Sequence, residues 1–153
     1  SNVRSAHLLA GKKVVSHIVS QASHAVVPSY FGQAVAIAAY EMGFEKAAAS
    51  IIEPTKESRR ILREALAASN LPHIMGDGYY AFIDCSEAIA AAGYSDSEAL
   101  LTHLGENHGL AVVPGIYFSQ AGANWIRFSY AQSPAKTEGA VKRLFEGLAA
   151  LKK

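Results

Sequence analysis

The chain has 153 residues, enough for one domain, or for one domain and a piece of another. It is 50% apolar and 18% charged with a net charge of +1, so neither nucleic acid nor an anionic membrane is indicated as a partner. The single cysteine, Cys85, excludes an internal disulfide, suits a reducing compartment and reads as a small buried filler at a strand end.

Ser1-Asn2 has the look of a vector scar, which would place the natural start at Val3. Ser1 to Ala10 lacks the long apolar stretch and small-residue cleavage site of a signal peptide. Val14, Val15, Ile18, Val19 and Ala22 then recur at helical spacing, predicting an amphipathic helix from Gly11 to Ala25. Pro28 ends that pattern. Ser29 is placed to cap a second helix through Gln33 to Met42, with Gly43 as its stop. This helix is rich in alanine on several faces, so packing on more than one side is expected. Its alanine run, Ala34 to Tyr40, is far shorter than the ~20 residues of a membrane span, and a soluble, cytoplasmic chain is expected.

A third helical region covers Glu45 to Ala68, with an interruption expected at Pro54, which has no N–H to donate. Ile61, Leu62, Ala65 and Leu66 form its apolar stripe, and Lys56, Arg59, Arg60 and Arg63 are expected to face solvent. Tyr79 to Asp84 reads as a strand. Ser95 and Glu98 have capping-box spacing before a helix that ends near Gly109. Leu110 to Val113 and Asn124 to Tyr130 read as strands, and Ser133-Pro134 opens a final helix with Val141, Leu144, Phe145, Leu148 and Leu151 inward. The half from Gly76 onward is thus an α+β layer, while the first forty-odd residues supply helices without a sheet of their own.

Alternation in the strand Asn124 to Tyr130 puts Ile126, Phe128 and Tyr130 on a core face and Trp125, Arg127 and Ser129 on the other. A guanidinium in that setting can offer its planar fork to a carboxylate, but periodicity alone equally describes a solvated surface arginine. His17 and His24 share a helix face by spacing, His103 and His108 do not, and no companion ligands suggest a metal. Gly76-x-Gly78 reads as a turn before a strand.

The segment Val112-Val113-Pro114-Gly115 with Phe118, followed by Trp125-Ile126-Arg127-Phe128-Ser129-Tyr130-Ala131, resembles the closing part of class I and II aminotransferases of fold type I. Gly78-Tyr79-Tyr80-Ala81-Phe82 is similar to the family's Gly-Phe-Tyr-x-Phe strand, Pro28-Ser29 with Gln33-Ala34 to the start of a large-domain helix, and Ser58-Arg59-Arg60 to its interdomain helix. The resemblance runs from Leu8 onward.

It implies an α+β small C-terminal domain, helices on a small mainly antiparallel sheet, in residues 44–153, preceded by two helices from the end of the large domain in residues 1–43. It implies that Arg127 holds the α-carboxylate of an amino acid or 2-oxo acid, that Tyr79 lines the cleft, and that Arg4 contacts the phosphate of pyridoxal phosphate. For Arg4 only the arginine of the family's Gly-x-Arg-x-Gly segment is kept, in Val3-Arg4-Ser5-Ala6. The lysine that carries the cofactor lies upstream of that segment in the family, and none of Lys12, Lys13, Lys46 and Lys56 matches it. The chain alone is therefore expected to hold no cofactor covalently and to be inactive. Rival readings are a fragment of a related pyridoxal-phosphate lyase, and a stand-alone module that binds small carboxylates or another protein. Self-association or pairing with a missing N-terminal part is expected from the sheetless helices.

Overall fold

A computed structural model describes residues 6–22 and 29–152. The chain divides into two compact units, Ser1–Ser50 and Ile51–Lys153.

In the first unit, α1 spans Lys12–Ala22 and buries none of its residues. Helix α2 spans Tyr30–Met42, and the Ser29 hydroxyl accepts from the Gly32 amide at 3.3 Å, satisfying one of the amides that a helix start leaves unpaired. Gly43 closes α2 at φ 88°, a conformation that glycine adopts without the penalty a β-carbon brings. Among the described residues the packing expected on several sides of α2 is not found, since Gly32 is the one residue of that helix that is buried.

Helix α3 runs unbroken from Phe44 to Ser69, with Pro54 inside it. The expected interruption does not occur. A proline withholds one backbone donor, and the rest of a long helix, with its apolar stripe seated in a core, can hold the ladder on either side. That stripe is Leu62 and Leu66, both fully buried, with Ile61 and Ala65 packed beside them.

In the second unit, β1 (His73–Met75), β2 (Tyr80–Asp84), β3 (Val113–Pro114) and β4 (Trp125–Ser129) form an antiparallel sheet in the order β1-β2-β4-β3. Helices α4 (Ser86–Ala91), α5 (Ser97–His108) and α6 (Pro134–Ala150) complete it. The core gathers on one side of the sheet: Ala81, Ile83, Ile126 and Phe128 join Leu62 and Leu66 of α3, Leu100 and Leu104 of α5, and Val141, Leu144 and Leu148 of α6. Each of the larger side chains in this set, valine upward, stabilises the fold by about 1.5–3 kcal/mol when taken fully out of water. The expected α+β arrangement of helices on a small antiparallel sheet is what forms.

Local departures have local causes. The cap of α5 is Asp96, not Ser95, and its carboxylate accepts from the Glu98 amide at 2.8 Å. Gly109, at φ 61°, ends α5, with its amide on Gly105 O and the Leu110 amide on Leu104 O. The strand expected over Leu110 to Val113 is reduced to Val113–Pro114: the Leu110 amide is taken up in closing α5, and pairing with β4 begins at Val113. No helix among the described residues is long and apolar enough to cross a membrane.

Candidate functional site

Pairing register decides which side chains share the open face of the sheet. Tyr80 lies opposite Ser129, Phe82 opposite Arg127, Asp84 opposite Trp125, and Val113 opposite Arg127 on the other side. Directly paired residues point the same way, so Arg127 stands among Tyr80, Phe82, Val113, Trp125 and Ser129. The opposite face carries Ile126 and Phe128, and Tyr130 follows them into the core, as alternation predicts.

The Arg127 guanidinium carbon lies 4.4 Å from the centre of the Tyr80 ring and 5.0 Å from that of Phe118. Phe118 meets Phe82 edge-on at 5.6 Å, and Phe82 lies 6.3 Å from Trp125. The result is an aromatic bed around one cation. Among the described residues, no hydrogen bond or ion pair occupies the donors of Arg127. Ring quadrupoles attract a guanidinium without consuming its in-plane N–H groups, so the fork stays available to an incoming acceptor.

Phe118 reaches this bed through a tight loop. The 3-10 turns Gly115–Tyr117 and Gln120–Gly122 cross so closely that a β-carbon on Gly115 would come within 2.7 Å of Trp125 O and closer still to Gly122 O. Only glycine permits that approach. Ser97, fully buried, accepts from the Ile116 amide at 3.4 Å. The Tyr117 hydroxyl donates to Glu98 at 2.8 Å, and that carboxylate raises the phenol above its ordinary pKa.

The Tyr80 side of the bed is fixed from below and from α3. The Tyr130 amide donates to Tyr79 O at 3.0 Å, and the buried Tyr130 hydroxyl donates to Gly78 O. Ser58 Oγ donates to Gln132 O at 2.8 Å, and Arg59 Nη2 donates to Gly76 O at 2.8 Å, with Asp77 at 3.8 Å. Arg59 was expected to face solvent. It turns instead to the unpaired carbonyl of the turn, with its Nε buried and without a partner.

A strand running from Tyr79 to Asp84 would put Tyr79 and Tyr80 on opposite faces. Because β2 begins at Tyr80, strand alternation does not reach Tyr79, and the two rings meet edge-on at 5.2 Å. Tyr80 is the tyrosine against Arg127. Tyr79 lines a groove of about 380 Å³ with Ile51, Ile52, Lys56, Arg59 and Asp77. Parity with Phe82 was the one sequence signal for Tyr80, and it required the β2–β4 register to be read.

The remaining candidates fall elsewhere. Arg4 and His24 lie outside the described residues. Cys85 is buried, its thiol pushed up to about 12 by burial and by the neighbouring Asp84 charge, which makes it a poor nucleophile. A second groove, about 440 Å³, lies beside Leu71, Cys85, Phe145 and Lys152 and includes none of the residues around Arg127. The His103 and His108 rings nevertheless approach to 5.2 Å at the C-terminal end of α5. Among the described residues no three histidine, cysteine or acidic groups are arranged to hold a metal.

The family model for class I and II aminotransferases matches residues 1–144. A protein described as a probable aspartate aminotransferase, from Methanocaldococcus jannaschii, is 33% identical over 119 residues, which is 76% of this chain and 30% of that relative. The aspartate aminotransferase of Thermus thermophilus, solved with maleate, superposes with a TM-score of 0.67 at 26% identity, over 89% of this chain and 35% of its own. An aromatic aminotransferase from Pyrococcus horikoshii gives 0.70 at 25% identity, over 91% and 36%. A Methanococcus jannaschii protein whose active site is described as similar to kynurenine aminotransferases gives 0.73 at 22% identity, over 92% and 36%, a likeness of fold. The chain therefore spans about a third of the length of the relatives it matches.

Proposed function

This chain belongs to the class I and II aminotransferase family, and from that premise we propose that it is the part of a pyridoxal-phosphate-dependent aminotransferase that receives the substrate carboxylate on Arg127. The observation that carries the reading is a guanidinium with open donors, seated between Tyr80 and Phe118 on the uncovered face of the sheet.

A planar fork of N–H donors matches a carboxylate bidentately, and two parallel charge-assisted bonds fix orientation as well as position. The rings attract the guanidinium without taking up its in-plane donors. Holding the carboxylate fixes the torsion at the neighbouring carbon, the geometry on which amino-group transfer depends. Pyridoxal phosphate, when bound in such an enzyme, supplies the electron-withdrawing ring for that transfer.

The residues around Arg127 do not by themselves fit that cofactor. Register places no lysine on this face to take its aldehyde. Arg4, proposed for the phosphate, is outside the described residues. The lysine is proposed to come from another part of the enzyme, and residues 1–153 alone to be inactive. Tyr79 is proposed as a cleft residue from its place beside Lys56 and Arg59. The domain assignment, large-domain helices in 1–43 and small domain in 44–153, is part of the same proposal.

Titration with 2-oxoglutarate and with an aliphatic amino acid, comparing the chain with Arg127→Ala, tests the reading. Saturable binding lost in the variant supports it, and binding that survives removes Arg127 from the role. Amino-group transfer by the chain alone would refute the inactivity proposed here.

A further inference from the structure

Resting on the reading of Arg127 as the carboxylate site, we propose that Tyr130 and Arg59 are positioning residues for it, acting through the backbone of the Gly76–Tyr79 turn. Neither is on the open face: Tyr130 is fully buried on the core side, and Arg59 belongs to α3. What they share is a target. Tyr130 grips Gly78 O with its hydroxyl and Tyr79 O with its amide, and Arg59 grips Gly76 O.

That turn leads directly into Tyr80, the first residue of β2, whose ring lies under the guanidinium. Beyond the β1–β2 pairing that begins at Met75 and Ala81, the turn has little else to hold it. Gly76 and Gly78 have nothing within 4 Å of where a β-carbon would stand, and Asp77 is fully exposed. Two glycines in open space leave the backbone many conformations, and side-chain donors on successive carbonyls remove that freedom. Ser58, next to Arg59, holds Gln132 O just beyond Tyr130, so α3 restrains both turns at this end of the β2–β4 pair. The position of the Tyr80 ring under the Arg127 guanidinium is thereby set from α3 and from the end of β4.

The experiment is NMR of the arginine Nε–Hε groups in the whole chain, with Arg127 assigned through Arg127→Lys. In the wild type, the Tyr80 ring current displaces the Arg127 signal upfield. Tyr130→Phe keeps the ring packing and removes the hydroxyl bond, and Arg59→Met keeps the stem and removes the fork. Both are expected to cut that displacement by about half and to weaken 2-oxoglutarate binding about fivefold, the equivalent of roughly one hydrogen bond. Arg59→Lys, which keeps a donor within reach of Gly76 O, is expected to restore most of both.

Loss of stability alone lowers the melting temperature and leaves the folded-state Arg127 signal in place, so the resonance separates positioning from mere support. Arg59 is partly exposed, and Arg59→Met carries the test should Tyr130→Phe not fold. An Arg127 signal unmoved in the folded variants overturns the proposal. A signal that moves in a chain that binds no 2-oxoglutarate upholds the positioning and overturns the carboxylate reading instead.

Discussion

The Arg127 guanidinium lies 4.4 Å from the centre of the Tyr80 ring, and no carboxylate among the described residues is bonded to it. A cation held by a ring rather than by a counter-charge remains able to bind an anion. At a half-exposed site such a contact contributes about 0.5–1 kcal/mol. A double-mutant cycle of Tyr80→Leu and Arg127→Ala, read by urea denaturation, should return a coupling of about that size. A coupling indistinguishable from zero would mean that the ring and the guanidinium are neighbours without attraction.

The Gly115 crossing makes a sharper prediction. A β-carbon there meets backbone oxygens of Gly122 and Trp125, and backbone cannot swing aside as a side-chain end can. Gly115→Ala should cost about 1–3 kcal/mol and displace Phe118 from Arg127. Equilibrium denaturation and loss of the Phe118 ring-current effect at Arg127 check the two parts separately.

How much of this was legible beforehand varies with the range of the interaction responsible. The core face of β4 was readable because Ile126, Phe128 and Tyr130 alternate within a single strand, and Ser29 and Gly43 because caps act within one helical turn. Tyr80 was not, since its role depends on which residue of a strand more than forty positions away lies opposite it. Arg59 was misread for the same reason: helical spacing put it outward, and a distant turn supplied the carbonyl that drew it in. The break expected at Pro54 overrated a local penalty against the packing of a long helix. Helix α4 and strand β1 went unread because six and three residues are too few to display a period.

Two helix glycines should respond to alanine with opposite signs. Gly105 on α5 has open space around it, so Gly105→Ala should stabilise by roughly 0.5–1 kcal/mol through helix propensity. Gly147 on α6 faces Leu104, which is fully buried, and His108 lies 3.1 Å from the new carbon. There the propensity gain is outweighed by overpacking, and Gly147→Ala should destabilise by about 1–2 kcal/mol. Thermal melts of the two variants under one buffer decide the matter; a gain from both would show that α5 and α6 have room to part.

Cys85 predicts a pH window. Its thiol is raised from 9.0 to about 12 in the folded chain, chiefly by burial. Between those values the unfolded chain has lost the proton and the folded chain still holds it. The folded state then binds more protons, so stability falls as pH rises through the window. Below pH 9 the contribution is fully present. Cys85→Ala should decline less steeply over the same range, and the native thiol should resist a disulfide reagent at pH 8 until denaturant is added. Prompt native labelling would show that the strand end opens readily.

The Ser1–Ser50 unit leaves large apolar side chains in water. Tyr30 is 87% exposed and Phe31 65%, with Val14, Ile18, Ile37 and Met42 also uncovered, and α1 buries nothing. Burying one such side chain is worth about 1.5–3 kcal/mol, so a surface of this kind should find cover in another copy of the chain. Light scattering should show mass rising with concentration, and an apolar dye should brighten on the dilute protein. Substituting glutamine at Tyr30 and Phe31 together should lower both signals without altering far-UV circular dichroism, because neither side chain is buried. A monomer at all concentrations that leaves the dye dark would mean that these helices cover their apolar side within the chain itself.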